Sequence, residues 1–247
     1  EIYNFKELIA KHQLDVDTGT DTEVILKLYA KLGNEIFAEL RGMWALAILD
    51  LETRKLVLSR DRFGIKPLFI TESGEKLAFS SEIKPLLALP GVSRNVSTNT
   101  ILEFVVFGTS SDPYETYFKD IHSLHPGKVR TYQLDDMTFE EFAYYDLKQA
   151  LSNGECEGGT FEDRFAQSIE EHLIADVEVG SCLSGGLDSS LIVASAHSSS
   201  DAFKTFTCAF PNEKIDESSF AKQLTEVCPN LDQRFTTPTA DDFKNAW

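Results

Sequence analysis

The sequence predicts two folds in succession, an α+β half built on antiparallel strands and then an α/β half with a parallel sheet. Three observations carry the prediction. Apolar residues recur at helical spacing through the first 40 residues, the period shortens to that of strands from Met43, and beyond Phe161 strand-like and helix-like runs alternate. At 247 residues and 42% hydrophobic content, the chain has material for two ordinary cores.

In the first helix Phe5, Leu8 and Ile9 share a face, and in the second Val24, Ile25, Leu28, Tyr29 and Leu32 do so. Thr20 and Glu23 have the spacing of a capping box at the start of the second. From Met43 the runs MWALAILDL, KLVLSRDR, PLFITES and KLAFSS are rich in strand formers. They are separated by the turn-like LETRK, FGIK and SGEK and read as an antiparallel meander. MWALAIL is apolar on both faces, so helices or a second sheet must cover it. A short helix comes next in SEIKPLLAL and a longer one from Thr98 to Phe107. After them come the polar, aromatic connection GTSSDPYETYFKD, a turn at His125-Pro126-Gly127-Lys128 and a strand in VRTYQL.

The small, polar stretch KQALSNGECEGG marks a linker over residues 146–160, between domains at 1–145 and 161–247. The second domain reads as helix FEDRFAQSIEEHLIAD, strand VEVGSCL, helix SSLIVASAH, strand KTFTCAF, helix ESSFAKQLTEV and strand DQRFTT. Helical crossovers between strands imply a parallel sheet.

The formal net charge of −17, with no Lys/Arg cluster, argues against a nucleic-acid or membrane-surface partner, because a polyanion needs a basic face. A small phosphate ligand stays open, since backbone N–H groups, a helix N-terminus and Mg²⁺ can hold one locally. Cys156, Cys182, Cys208 and Cys228 include no Cys-x-x-Cys pair, which suits neither a zinc site nor a disulfide framework and points to a reducing, cytoplasmic setting. The opening EIYNFKELIA has no basic or apolar leader region, and nowhere do 18 apolar residues run together. His12, His122, His125, His172 and His197 are not spaced as metal ligands, and none lies near a motif serine.

The stretch SCLSGGLDSSLI, residues 181–192, lies between a predicted strand and a predicted helix. Gly185 and Gly186 let the backbone curl round an anion with its N–H groups inward, and the helix behind them adds unpaired N–H groups and a positive dipole end. Ser184 and Ser189 can donate to phosphate oxygens. A P-loop would carry a lysine and a Rossmann turn would read Gly-x-Gly-x-x-Gly; neither is present. Asp188 beside phosphates calls for a bridging Mg²⁺, or else it caps the helix while Gly-Gly forms a plain tight turn.

Ser184 to Ser190, reading SGGLDSS, resembles the pyrophosphate loop of the N-type ATP pyrophosphatases. Upstream, Arg41-Gly42-Met43-Trp44-Ala45, Arg60-Asp61-Arg62-Phe63-Gly64-Ile65-Lys66-Pro67-Leu68 and Ser80-Ser81-Glu82-Ile83-Lys84 resemble the glutaminase domain of glutamine-hydrolysing asparagine synthetases. Glu1-Ile2-Tyr3-Asn4 resembles the segment directly after an Asn-Gly pair in that domain. The resemblance spans nearly the whole chain. It implies an N-terminal-nucleophile glutaminase sandwich (αββα), followed by a parallel-sheet, Rossmann-like ATP pyrophosphatase domain, both incomplete. In that family ammonia freed from glutamine displaces AMP from β-aspartyl-AMP, with ATP, Mg²⁺, aspartate and glutamine as the small-molecule partners and with room for a homodimer.

Carried over by position, Leu183, Ser184, Gly185, Gly186, Asp188 and Ser189 match the ATP site. Cys208 matches a strand position whose backbone meets adenine, its side chain being expected as a small buried strand residue. Glu1 matches a glutamine-binding glutamate and Asp21 a carboxylate for the α-ammonium, although a first-turn acid is also favoured by the helix dipole. Arg60, Asp61 and Arg62 are expected to form a buried ion network under the sheet. Asp216-Glu217-Ser218 opens the next helix and takes no assigned role.

The family's catalytic N-terminal cysteine is not in this sequence, where the first cysteine is Cys156. The expectation is therefore an internal fragment without either half-reaction. The alternatives are a β-lactam-synthetase-like cyclase and a catalytically silent glutamine-sensing module.

Overall fold

The computed structural model describes residues 1–73, 76–154, 158–197 and 203–245. They form two compact units, Glu1–Glu157 and Gly158–Trp247.

In the first unit α1 (Phe5–His12) and α2 (Asp21–Leu32) pair, and a 3₁₀ turn at Gly33–Glu35 leads into α3 (Ile36–Glu39). Thr20 caps α2, its hydroxyl accepting from the Glu23 amide at 3.3 Å. The expected capping box is only half formed. Glu23 turns its carboxylate to the Asp17 and Thr18 amides, at 2.8 and 2.6 Å, and to Lys27, at 2.8 Å, because the preceding loop presents its own amides to the first turn.

The strands are β1 (Ala45–Asp50), β2 (Lys55–Arg60), β3 (Phe69–Ser73), β4 (Lys76–Ser80), β5 (His122–Ser123), β6 (Lys128–Gln133) and β7 (Phe139–Ala143). The expected single meander is corrected: β1-β2-β6-β7 form one antiparallel sheet and β4-β3-β5 another. Strand period 2 explains the layering. Val57 of β2 packs with Val24, Leu28, Phe37 and Val129 under the helices, while its neighbour Leu58 packs with Leu68, Ile70, Leu124 and Tyr132 between the sheets. β2 is thus covered by helices on one side and a sheet on the other, whereas in β1 the face of Leu46 and Ile48 is packed and Ala47 and Leu49 are exposed, so the two-sided cover expected for MWALAIL is corrected. On the second sheet α4 (Ile83–Leu87) packs beside β4, and α5 (Thr98–Phe107) comes after it in sequence.

Two strands escape a reading by pattern. β5 is only two residues, and β7, FEEFA, lacks an apolar face and is held from the partner strand. Glu141 of β7 takes Lys128 and Arg130 of β6 at 2.6 and 2.7 Å, and Arg130 lies 4.5 Å over the Phe139 ring. The segment read as a linker starts with a short helix, α6 (Leu147–Ser152), capped by Asp146.

The second unit opens with α7 (Phe161–His172), where Thr160 and Asp163 form a complete capping box. Then come β8 (Gly180–Cys182), α8 (Leu187–His197), β9 (Phe203–Cys208), α9 (Ser218–Gln223), a 3₁₀ turn at Leu224–Glu226, β10 (Leu231–Thr236) and α10 (Ala240–Asn245). The sheet runs β10-β9-β8, all parallel, as the alternating pattern requires. Its core is Leu183, Val193, Ala196, Phe203 and Ala221. Among the described residues no helix is long and apolar enough to cross a membrane.

Candidate functional site

Each unit carries one constellation. In the first, the chain start is pinned as a short antiparallel bridge between Ile2 and Gly42. Tyr3 donates to the Arg41 carbonyl at 2.8 Å and Met43 donates to the Glu1 carbonyl at 3.0 Å. Gly42, at φ +147°, is required there, since a Cβ would lie 2.2 Å from the Glu1 oxygen. Asp21, in the first turn of α2, accepts the amide of Ile2, next to Glu1, at 3.0 Å. Glu1 and Asp21 therefore come together, and both line an open cavity of about 460 Å³ with Trp44, Lys66, Pro67 and Ser81.

The stretch Arg60 to Leu68 contributes Lys66 and Pro67 to that cavity. Asp61 is fully buried and takes four backbone amides, those of Trp44 (3.3 Å), Phe63 (3.1 Å), Ile65 (2.9 Å) and Lys66 (2.9 Å). Arg60, also buried, donates to the carbonyls of Lys66, Gly64 and Leu124 and to Ser123 Oγ, at 2.7 to 2.8 Å. Burial pushes the Arg60 guanidinium below its ordinary pKa, against the pull of Asp61. The expected ion network under the sheet is thus mainly a network between charged side chains and backbone. Arg62 stands apart, reaching the Ala38 carbonyl at 3.0 Å and the Tyr145 ring at 5.1 Å. A loop built this way carries the chain out of one sheet and into the other, which is why the meander divides after β2. Lys66 and Ser81 line the cavity without having been expected there; the only sequence signal for them is their place in the runs Arg60 to Leu68 and Ser80 to Lys84.

In the second unit, Leu183 to Gly186 link β8 to α8. Leu183 is buried, its amide donating to Phe206 at 2.9 Å and its carbonyl accepting from Thr207 Oγ1 at 2.6 Å. Ser184 and Ser189 share a hydrogen bond at 2.9 Å, and the Gly186 amide donates to Ser184 Oγ at 3.2 Å. Gly185 sits at φ +91°, where a side chain is strained. Ser184, Gly185, Gly186, Asp188 and Ser189 are thus gathered at the N-terminus of an 11-residue helix, with Asp188 exposed in its first turn. The arrangement offers hydroxyls and helix-end N–H groups to an anion.

Cys208 ends β9 and is exposed, which corrects the buried strand residue expected of it. Strand alternation puts it on the face of Lys204 and Phe206, opposite the buried Phe203, Thr205 and Thr207. Cys182 is exposed too, Cys228 is buried, and Cys156 lies outside the described residues. Among the described residues no group of three or more His, Cys, Asp or Glu is placed to hold a metal.

Residues 1–145 match the family model of the glutamine amidotransferase domain, and residues 160–246 match that of asparagine synthase. Asparagine synthetase (glutamine-hydrolyzing) 1 of Bacillus subtilis is 32% identical over 232 residues, 90% of this chain and 36% of its own length. Asparagine synthetase (glutamine-hydrolyzing) 2 of the same organism is 35% identical over 222 residues, 84% and 29%. The asparagine synthetase (glutamine-hydrolyzing) of Rattus norvegicus is 35% identical over 206 residues, 79% and 34%. The chain spans less than half the length of the curated relatives it matches. A solved glutamine phosphoribosylpyrophosphate amidotransferase from B. subtilis aligns at 13% identity and a TM-score of 0.38, over 100% of this chain and 49% of that one, too weak a likeness to bear on either sheet. The amidotransferase match covers more than half of the chain and the second match lies directly behind it. The chain belongs to the glutamine amidotransferase domain family, in the arrangement of the glutamine-hydrolysing asparagine synthetases.

Proposed function

We propose that the intact protein makes asparagine from aspartate, with ammonia released from glutamine and with ATP cleaved to AMP and pyrophosphate. The observation that carries this reading is the placement of Gly185-Gly186 and the Ser184 and Ser189 hydroxyls between a parallel strand and a helix N-terminus, in a chain whose other unit is a glutamine amidotransferase domain. Glutamine plus water gives glutamate and ammonia in the first unit. Aspartate attacks the α-phosphorus of ATP in the second, pyrophosphate leaves, and ammonia displaces AMP from the β-carbonyl carbon.

The residues divide that work by charge. Asp21 and Glu1 supply the carboxylates of the first cavity, and an α-ammonium is the substrate group that suits them. In the second unit the loop amides, Ser184 and Ser189 hold the departing pyrophosphate, with Leu183 fixing the loop's near end. Cys208 ends the adjoining central strand β9, where its backbone would face the adenine. Asp188 fits Mg²⁺ as a single exposed carboxylate, because that ion is held by one or two carboxylates together with phosphate oxygens. When bound, Mg²⁺ would neutralise charge on the phosphates. The exposed thiols of Cys182 and Cys208 suit a reducing, cytoplasmic setting.

The test separates the two half-reactions in the full-length protein. Asp188→Ala should cut aspartate-dependent pyrophosphate release by about 100-fold or more while glutamine hydrolysis stays within about twofold, the range typical of a lost electrostatic contact at a reacting phosphate. An equal loss in both reactions would count against this division.

A further inference from the structure

We propose that Asp216, whose carboxylate bonds to Phe210 and Ser218, is a positioning residue that sets the shape of Ser184 to Gly186. The proposal rests on reading that loop as the pyrophosphate site.

Gly185 lies directly on the start of α9. A Cβ there would come 2.7 Å from the Glu217 carbonyl oxygen, 3.0 Å from the Ala221 nitrogen and 3.1 Å from Phe220 Cβ. The position of the Glu217 carbonyl therefore decides where Gly185 can sit. That carbonyl accepts the Phe220 and Ala221 amides at 3.0 and 3.3 Å as α9 starts, and Asp216 fixes where this start lies. Its Oδ1 accepts the Phe210 amide at 3.2 Å and the Ser218 amide at 3.1 Å, and its Oδ2 accepts Ser218 Oγ at 3.1 Å. One carboxylate thus ties the segment just after β9 to the first residue of α9, with Glu217 held between the tied points. Ser218 is only 6% exposed, so its hydroxyl is committed to this bond. The hydrogen bonds from Ser218 and Phe210 hold the Asp216 carboxyl below its ordinary pKa.

The loop's other end is held from the same side. Thr207 of β9, 3% exposed, donates to the Leu183 carbonyl at 2.6 Å. Ser184 to Gly186 therefore lie against two anchors, one on β9 and one at the start of α9, and take their curvature from them. A plain helix cap would act otherwise: its loss would lower the stability of the unit and leave the loop's shape unchanged. Asp242 is such a cap in the same unit. It holds the Thr239 amide and hydroxyl at 2.8 and 2.7 Å at the start of α10.

The test uses amide hydrogen exchange and binding of inorganic pyrophosphate with Mg²⁺ on the full chain, in Asp216→Ala, Asp216→Asn, Ser218→Ala and Asp242→Ala. Asp216→Ala should speed exchange at Gly185 to Leu187 and weaken pyrophosphate, each by about tenfold, or 1.4 kcal/mol. Asp216→Asn keeps one acceptor oxygen for the two amides and should stay within about threefold. Ser218→Ala should loosen the loop to an intermediate degree and covers the case in which Asp216→Ala does not fold. Asp242→Ala should leave loop exchange unchanged. Equal loosening by Asp216→Ala and Asp242→Ala, or an unmoved loop in both Asp216→Ala and Ser218→Ala, would overturn the proposal. If the parent chain binds no pyrophosphate yet Asp216→Ala still loosens the loop selectively, the positioning role stands and the pyrophosphate reading falls.

Discussion

Glu141 shows how a side chain with no catalytic part governs the response of the fold to acid. Burial raises its pKa, but hydrogen bonds from Lys128 and Arg130 outweigh burial and hold it below the usual carboxylate range. Its folded value is therefore lower than its unfolded value of about 4.3. The stabilising contribution is thus present above about pH 4.3 and is lost as pH falls through the folded value. Glu141→Gln should be less stable than the parent at pH 7, and the gap between their urea midpoints should close as pH drops from about 5 towards 3. A gap of constant size would show that Glu141 acts by packing alone. At this scale the sequence is readable only where a residue's partners are local. Ser184, Gly186 and Ser189 bond within their own loop, so their grouping is visible from spacing. The four amides on Asp61 include Trp44, 17 residues away, and a partner that distant appears only when β1 and β2 pair.

Some turns between elements are set by glycines whose surroundings leave no room for a side chain, and Gly127 is the sharper case. It sits at φ +68° between β5 and β6, its amide donating to the Asp61 carbonyl at 2.9 Å and its carbonyl accepting from Tyr144 and Tyr145. A Cβ would lie 2.5 Å from the Tyr145 carbonyl oxygen. Gly19 has nearly the same backbone, φ +67°, with nothing within 4 Å. The two substitutions separate strain from collision. Gly19→Ala should cost about 1 kcal/mol, the penalty of the left-handed region, and Gly127→Ala about 3 kcal/mol or more in chemical denaturation. Similar losses would mean that the turn relaxes around the added methyl. His125-Pro126-Gly127-Lys128 is legible as a turn because proline and glycine punctuate it. β7 is not legible, because FEEFA has no apolar face of its own and its strand state is imposed by the β6 register and by Glu141. The expected meander fails for a related reason: composition marks β2 and β3 as strands, but only the hydrogen bonds of Arg60 and Asp61 determine that they join different sheets.

The two-part organisation is legible across the whole molecule, since a change in hydrophobic period marks a change in the kind of layer being built. Each unit has a core of its own. Phe37, 0% exposed, belongs to the cluster with Val24, Leu28 and Val57, and Phe203, 4% exposed, to that with Leu183, Val193 and Ala221. Truncating a buried phenylalanine to alanine costs about 3–5 kcal/mol, through lost transfer energy and the cavity left behind, and that cost falls on the cooperative unit whose core is damaged. Phe37→Ala should therefore lower the thermal transition of residues 1–157 and Phe203→Ala that of residues 158–247, each leaving the other transition within about 2 °C. Calorimetry can assign the transitions by adding Mg²⁺-pyrophosphate, which under the proposed function binds the second unit and would raise that unit's midpoint. A single transition shifted equally by either substitution would mean that the two cores melt as one, and that the boundary read from the sequence is a change of architecture within one cooperative body.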